Sequence, residues 1–340
     1  MAKGVAILAM VMLHLFCRLD HLPYTPLFYV GGKPLVYYLG LFGDMCVPIY
    51  CFCSGYAHYL LKEKEGNTYT RKIPGRLFSF LSNYWIVLFL FAGLGLFFDK
   101  SGTIPGSLAD FAGNFFLYDL SYNGAWWFVV TYIILTVLSL CLYKVASKMP
   151  SLVLVMISGV VYFAGYLFRF VVVLDTGVAV LNWIWFQTIL FGTSQFGYIL
   201  GMVFRKEHCI TALRTRLSET DGEHVVGKKC VVYGVPLVLF LLHCVEPSLI
   251  IAPITGLGTI LCFWLWKKPR WAERFFLFFG KHSTNIWLVH MFFYAVLFDG
   301  FVFVAKYPLP IFILMIVVCL SCSAPINILW SKLRKCLSRN

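Results

Sequence analysis

The sequence predicts an all-α, polytopic integral membrane protein, a bundle of about ten transmembrane helices with both termini cytoplasmic. Three observations carry that expectation. Of 340 residues, 60% are apolar or aromatic and only 13% are charged, where a soluble chain carries roughly a quarter; mean hydropathy is +0.81. The apolar residues come in blocks of about 17–25, each long enough to cross a hydrocarbon core of roughly 30 Å. The basic residues segregate: with the N-terminus inside, 23 of the 28 Lys and Arg fall on the cytoplasmic side, leaving Arg18, Lys33, Lys100, Arg169 and Lys306 outside. That is the positive-inside pattern, so the net charge of +13 is a topology signal and not a nucleic-acid patch.

The blocks are 4–19, 37–61, 77–98, 125–147, 152–173, 183–204, 230–246, 249–266, 275–298 and 309–330. None shows the two-residue alternation of a transmembrane strand, and in lipid a helix satisfies its own backbone hydrogen bonds. The first block contains His14 and Arg18 and no small-residue cleavage site, so it reads as a retained helix and not a signal peptide. Gly and Pro mark turns at 24–34 and 100–107, and 108–124 reads as a short re-entrant or surface piece. Trp126, Trp127, Trp183 and Trp185 fit an aromatic belt at the outer interface. The largest cytoplasmic loop, 205–229, holds a short helix expected at Ile210–Leu217, its basic residues facing lipid headgroups. No stretch outside the blocks is long enough for a second core, so 1–340 reads as one transmembrane domain. Eight of the twelve cysteines fall inside predicted spans, where Cys acts as a small apolar residue; neither a disulfide framework nor a metal site is expected.

Ionisable residues inside spans are costly and mark function by default. Lys3 and His14 are eleven residues apart, about 20° from alignment on a helix and about 16 Å along it. With Lys3 at the cytoplasmic surface, His14 lies near the midplane, and Arg18 continues the same face outward. His290 reaches similar depth from Lys281, in a stretch where Gly280 and Ser283 are expected to break or cap the helix, with Asn285 a polar neighbour. Asp44 is expected near the outer interface, Pro48 as a kink, and Ser54-Gly55-Tyr56 as a packing or binding site. Arg71, Lys72 and Arg76 form a basic cluster able to hold phosphates or anionic lipid.

Four stretches in order resemble the membrane acyltransferase-3 family: KGVAILAMVMLH with its Lys-x10-His spacing, GDMCVPIYCFCSGY (43–56), NGAWWFVVTYIILTVLSLCLY (123–143) and GKHSTNIWLVHMFF (280–293). The resemblance implies a ten-helix bundle that moves an acyl group, acetyl in many members, from cytoplasmic acyl-CoA to a hydroxyl of an extracytoplasmic sugar, polysaccharide or lipid-linked glycan. On that likeness His14 is the expected catalytic base; His290, at similar depth, is a second catalytic candidate. Lys3, Arg71, Lys72 and Arg76 are expected to face the acyl-CoA phosphates. Asp44, Ser54, Tyr56, Trp127, Ser283 and Asn285 are expected to support the substrate. No metal is expected. The setting is a bacterial cytoplasmic membrane, with an extracytoplasmic partner protein or a second copy as further partners. The competing reading is a transporter or flippase in which His14, His290 and Asp44 form a midplane path.

Overall fold

The computed structural model describes residues 1–20, 22–218, 230–246 and 248–337. Each of the ten apolar blocks coincides with a helix or a broken pair of helices. They are α1 (Ala2–Phe16), α2 (Leu35–Phe42), α3 (Cys46–Glu65), α4 (Thr68–Phe98), α5 (Leu108–Phe116), α6 (Trp127–Val137), α7 (Ser139–Lys148), α8 (Ser151–Phe170), α9 (Ala179–Lys206), α10 (Cys209–Ser218), α11 (Val235–Val245), α12 (Ala252–Leu265), α13 (Arg270–Val289) and α14 (Pro308–Leu337). The helix expected at Ile210–Leu217 is α10; the rest of that loop, 219–229, lies outside the described residues, as do 338–340. A two-residue hairpin, Tyr29–Val30 with Lys33–Pro34, turns on Gly31 and Gly32 in the left-handed region.

Four described stretches are long and apolar enough to cross a membrane: Leu35–Glu65, Thr68–Phe98, Ser151–Phe170 and Pro308–Lys332. A fifth counts if Gly124–Val137 and Ser139–Lys148, bent by 54°, form one span. The remaining blocks give shorter helices, among them Ala2–Phe16, Cys230–Val245 and Leu249–Leu265, or carry more polar residues.

The helices that cross present apolar residues outward. On α8, Leu152, Met156 and Val160 are exposed at four-residue spacing, while Leu154, Ser158, Tyr162 and Gly165 are buried. Such a face is unstable in water and stable in hydrocarbon. This is a membrane protein.

Small residues set how the inner helices approach. A Cβ on Gly201 of α9 would overlap the Phe52 carbonyl on α3, and one on Gly55 of α3 would overlap the Tyr198 carbonyl on α9. The central helix is α1, where Ala6, Ile7 and Val11 are wholly buried. It docks on α13 at Gly4, which lies against the Phe276 backbone with Gly280 beside it.

The structure departs from expectation at three places. Gly280 and Ser283 do not interrupt α13; Ser283 Oγ donates to the Gly280 carbonyl at 3.0 Å inside a continuous helix, which breaks only at the 3-10 turn His290–Phe293. The break before α3 is the 3-10 turn Gly43–Met45, so Pro48 sits in the first helical turn, where its missing N–H costs nothing. Trp126 is no belt residue: it is fully buried, and its indole N–H donates to the Leu288 carbonyl at 3.0 Å.

Outside the spans, α5 is an exposed amphipathic helix opened by a capping box in which Ser107 and Asp110 bond reciprocally. The loop before it closes on Asp99. Partial burial alone would raise that carboxyl, but hydrogen bonds from Ser101, Thr103 and the Ile104 amide outweigh it and hold the group down at about 2.

Candidate functional site

The α1–α13 contact places two histidines together. The helices pack side by side from Gly4 and Gly280, and ten residues on from each glycine stand His14 and His290, about 15 Å along both helices. Their rings meet with centroids 4.8 Å apart and planes at 54°. His290 is buried at the point where α13 tightens into its 3-10 turn. Its Nδ1–H donates to the Trp287 carbonyl at 2.7 Å, which leaves Nε2 as the lone-pair nitrogen. That Nε2 is buried with no hydrogen-bond partner among the described residues. His14 Nδ1 lies 3.3 Å from the Tyr294 hydroxyl. In the tautomer with Nδ1 protonated, that N–H donates to the Tyr294 oxygen, and His14 Nε2 carries the lone pair a base requires.

His14 lines a cavity of about 280 Å³. Lys3 lines the same cavity, so the two residues expected to share one face of α1 do share it, about 16 Å apart. Tyr50 stands at the Lys3 end, and the walls also include Ser54, Ser283, Trp127, Tyr132 and Trp287. The Tyr50 hydroxyl donates to the Lys3 carbonyl at 3.5 Å, at the long limit for such a bond. Lys3 forms no ion pair among the described residues.

Asp44 also lines the cavity, but as a buried group, because the 3-10 turn that carries it is packed against α1 and α12. Its Oδ2 lies 2.8 Å from Nε2 of His243 on α11, and its Oδ1 is buried without a partner among the described residues. A carboxylate this deep needs the imidazole beside it. His243 was legible by the rule that singled out His14, an ionisable residue in an apolar run, but it stands three residues from Glu246 and reads as the end of a span. Arg169, counted by sequence as an outer charge, lines the cavity, a role that sequence reasoning missed.

The other expected residues stand apart from this cavity. Tyr56 packs against Trp264 with ring centroids 5.9 Å apart. Asn285 belongs to a polar cluster between α4, α13 and α14: it accepts from Asn83 Nδ2 at 2.6 Å and donates to Ser323 Oγ at 3.1 Å and Asn327 Oδ1 at 3.0 Å. In the basic cluster Arg71 is exposed. Lys72 and Arg76 both pair with Glu65, at 3.2 and 2.7 Å. Arg76 also lies over the Tyr69 ring at 4.8 Å, and its Nη1 is buried without a partner among the described residues. The Tyr69 hydroxyl is fixed in turn, donating to Ser139 Oγ at 2.7 Å and lying 2.7 Å from His58 Nδ1.

Chemically, the cavity offers the Lys3 side chain, without an ion pair among the described residues, at one end and the His14 imidazole, with the His290 ring packed against it, at the other. Aromatic walls lie between them, and a carboxylate with a free oxygen faces the imidazole end. Compared with known proteins, residues 1–328 match the family model described as an acyltransferase domain, acyltransferase-3. No curated protein and no solved structure matches the chain.

Proposed function

The chain belongs to the acyltransferase-3 family and is a membrane acyltransferase; on that premise we propose that it transfers an acetyl or similar short acyl group from cytoplasmic acyl-CoA to a hydroxyl of an extracytoplasmic sugar or lipid-linked glycan. The setting of the proposal is a bacterial cytoplasmic membrane, crossed by ten segments with both termini inside. One observation supports it above the others: Lys3 and His14 line a single cavity about half a bilayer long.

In this reading Lys3, Arg71, Lys72 and Arg76 meet the phosphates of the donor, and the pantetheine arm follows the aromatic walls towards His14. His14 Nε2 takes the proton of the acceptor hydroxyl as its oxygen attacks the thioester carbonyl. The new C–O bond forms and the C–S bond breaks. The departing thiolate takes up the proton and leaves as CoA. Tyr294 holds the His14 tautomer, and the lone pair of His290 stabilises the imidazolium formed in between. Asp44 Oδ1 accepts a hydrogen bond from the sugar.

The Asp44–His243 pair also favours a second reading, a proton-coupled transporter. Purified protein in proteoliposomes, supplied with acetyl-CoA and a glycan and followed by mass spectrometry, separates the two. The expected result is an acetyl ester on the glycan with equimolar free CoA. A protein that neither binds nor consumes acyl-CoA contradicts the transferase reading.

A further inference from the structure

At the His14 end of the cavity one cation has no counter-charge. Arg169 stands in the last turn of α8 and lines the cavity. Its guanidinium lies over the Trp127 ring at 5.2 Å and the Phe170 ring at 5.1 Å. No ion pair and no hydrogen bond holds its N–H groups among the described residues. Nearby polar groups are committed elsewhere. Asp44 engages His243 through Oδ2 and forms no ion pair with Arg169, the Tyr162 hydroxyl donates to the Leu249 carbonyl at 2.6 Å, and the Tyr166 hydroxyl lies 3.0 Å from Ser248 Oγ.

Helix register fixes which end Arg169 serves. Gly165 on α8 lies against Gly192 and Thr193 of α9, and Gly197 of α9 lies against Pro48 of α3. Four residues beyond Gly165, about 6 Å further along, Arg169 reaches the level of α2, where Gly40 lies against Phe16. That is the end of α1 where His14 stands, opposite Lys3. A guanidinium held over aromatic rings by its cation–π contacts keeps its N–H donors free, and they match the two oxygens of a carboxylate or phosphate.

We propose that Arg169, lying over Trp127, is an anion subsite for the acceptor, so that the hydroxyl acylated at His14 belongs to a glycan bearing a carboxylate or phosphate group. The proposal rests on the transferase reading and names its acceptor class. Trp127 offers a face for the sugar ring, and Asp44 Oδ1 takes a sugar hydroxyl. A neutral sugar leaves the guanidinium partly desolvated and unpaired, which disfavours it.

The test uses the purified full chain, acetyl-CoA and three acceptors: methyl glucoside, methyl glucuronide and glucose 1-phosphate. The expected result is a KM for one or both charged acceptors lower than that for the glucoside by about tenfold or more, which corresponds to one charge-assisted contact. Arg169→Gln is expected to remove the difference without changing KM for acetyl-CoA, and Arg169→Lys to restore part of it. The better of the two charged acceptors tells carboxylate from phosphate. Equal KM values for all three, or a preference that survives Arg169→Gln, overturn the proposal and leave the transferase reading intact. If Arg169→Gln does not fold, the wild-type ranking alone decides. If no acceptor is acylated, equilibrium dialysis of the same probes decides. Retention of the charged probes by the wild type but not by Arg169→Gln upholds the anion site, whereas equal retention rejects it; the transferase reading is decided separately, by whether the protein binds or consumes acetyl-CoA.

Discussion

Two of the polar clusters buried among the described residues of this bundle differ in one respect. Around Asn285, amide donors and acceptors are matched across α4, α13 and α14, and none of the atoms in that set is left alone. Around His14, the Nε2 of His290 and the Oδ1 of Asp44 are buried without partners among the described residues, beside a cavity of about 280 Å³. A matched set holds helices together; an unmatched set beside open space keeps bonding capacity for something that enters. Depth in the membrane therefore does not separate structural from functional polar residues. The state of their hydrogen bonds does.

The comparison fails or sharpens by substitution on each side. Asn285→Ala removes the partner of Asn83 Nδ2 and of Asn327 Oδ1 and is expected to lower unfolding stability by about 1–3 kcal/mol. Acyl transfer per folded molecule should stay at the wild-type level, as read by denaturant melts in detergent alongside turnover. A turnover defect without a stability defect would move Asn285 into the site. Asp44→Asn should do the reverse, because it keeps the volume while removing the charge that faces His243 and the cavity. Turnover is expected to fall about tenfold, some 1.4 kcal/mol, with the melting midpoint within a few degrees of wild type. An unchanged turnover would return Asp44 to a purely structural role.

The smallest effect is expected outside the bundle, at Asp99, a carboxylate as fully matched as Asn285 but near the surface. Its folded value of about 2 lies below the unfolded value of about 3.9. Its contribution is therefore complete above the unfolded value and is lost as pH falls through the folded one. Pepsin cleavage within 99–107 should be slow near pH 4 and faster near pH 2, and Asp99→Asn should remove that difference. Equal cleavage of the wild type at both values would show that the bonds seen at Asp99 contribute nothing to holding the loop.

What the residues disclosed in advance follows from which structures are local. The shared face of Lys3 and His14 is a property of one helix, so spacing alone placed both in the cavity. The equal depth of His290 survived because α13 runs beside α1 from a glycine contact. Pairings across helices were hidden. Asp44 and His243 are 199 residues apart, and no periodicity within either segment reports that contact. Asn285 carried the same polar signal as His290, and only its partners reveal the difference. Trp126 and Trp127 are adjacent in the chain, yet one is packed inside the core and the other faces the cavity, which depends on the 3-10 turn before α6. The number of membrane crossings was the least local property: the apolar run 125–147 bends by 54° at Leu138, and the runs at Ala2–Phe16, Cys230–Val245 and Leu249–Leu265 give helices shorter than their hydropathy suggests.

The central claim is that one cavity joins a donor end at Lys3 to a proton-accepting end at His14. The most direct measurement sets acetyl-CoA binding against acetyl transfer in purified His14→Ala protein. The account predicts donor affinity within about twofold of wild type and a transfer rate reduced by about 10²–10⁴. Transfer that persists at the wild-type rate in a folded His14→Ala protein would contradict it.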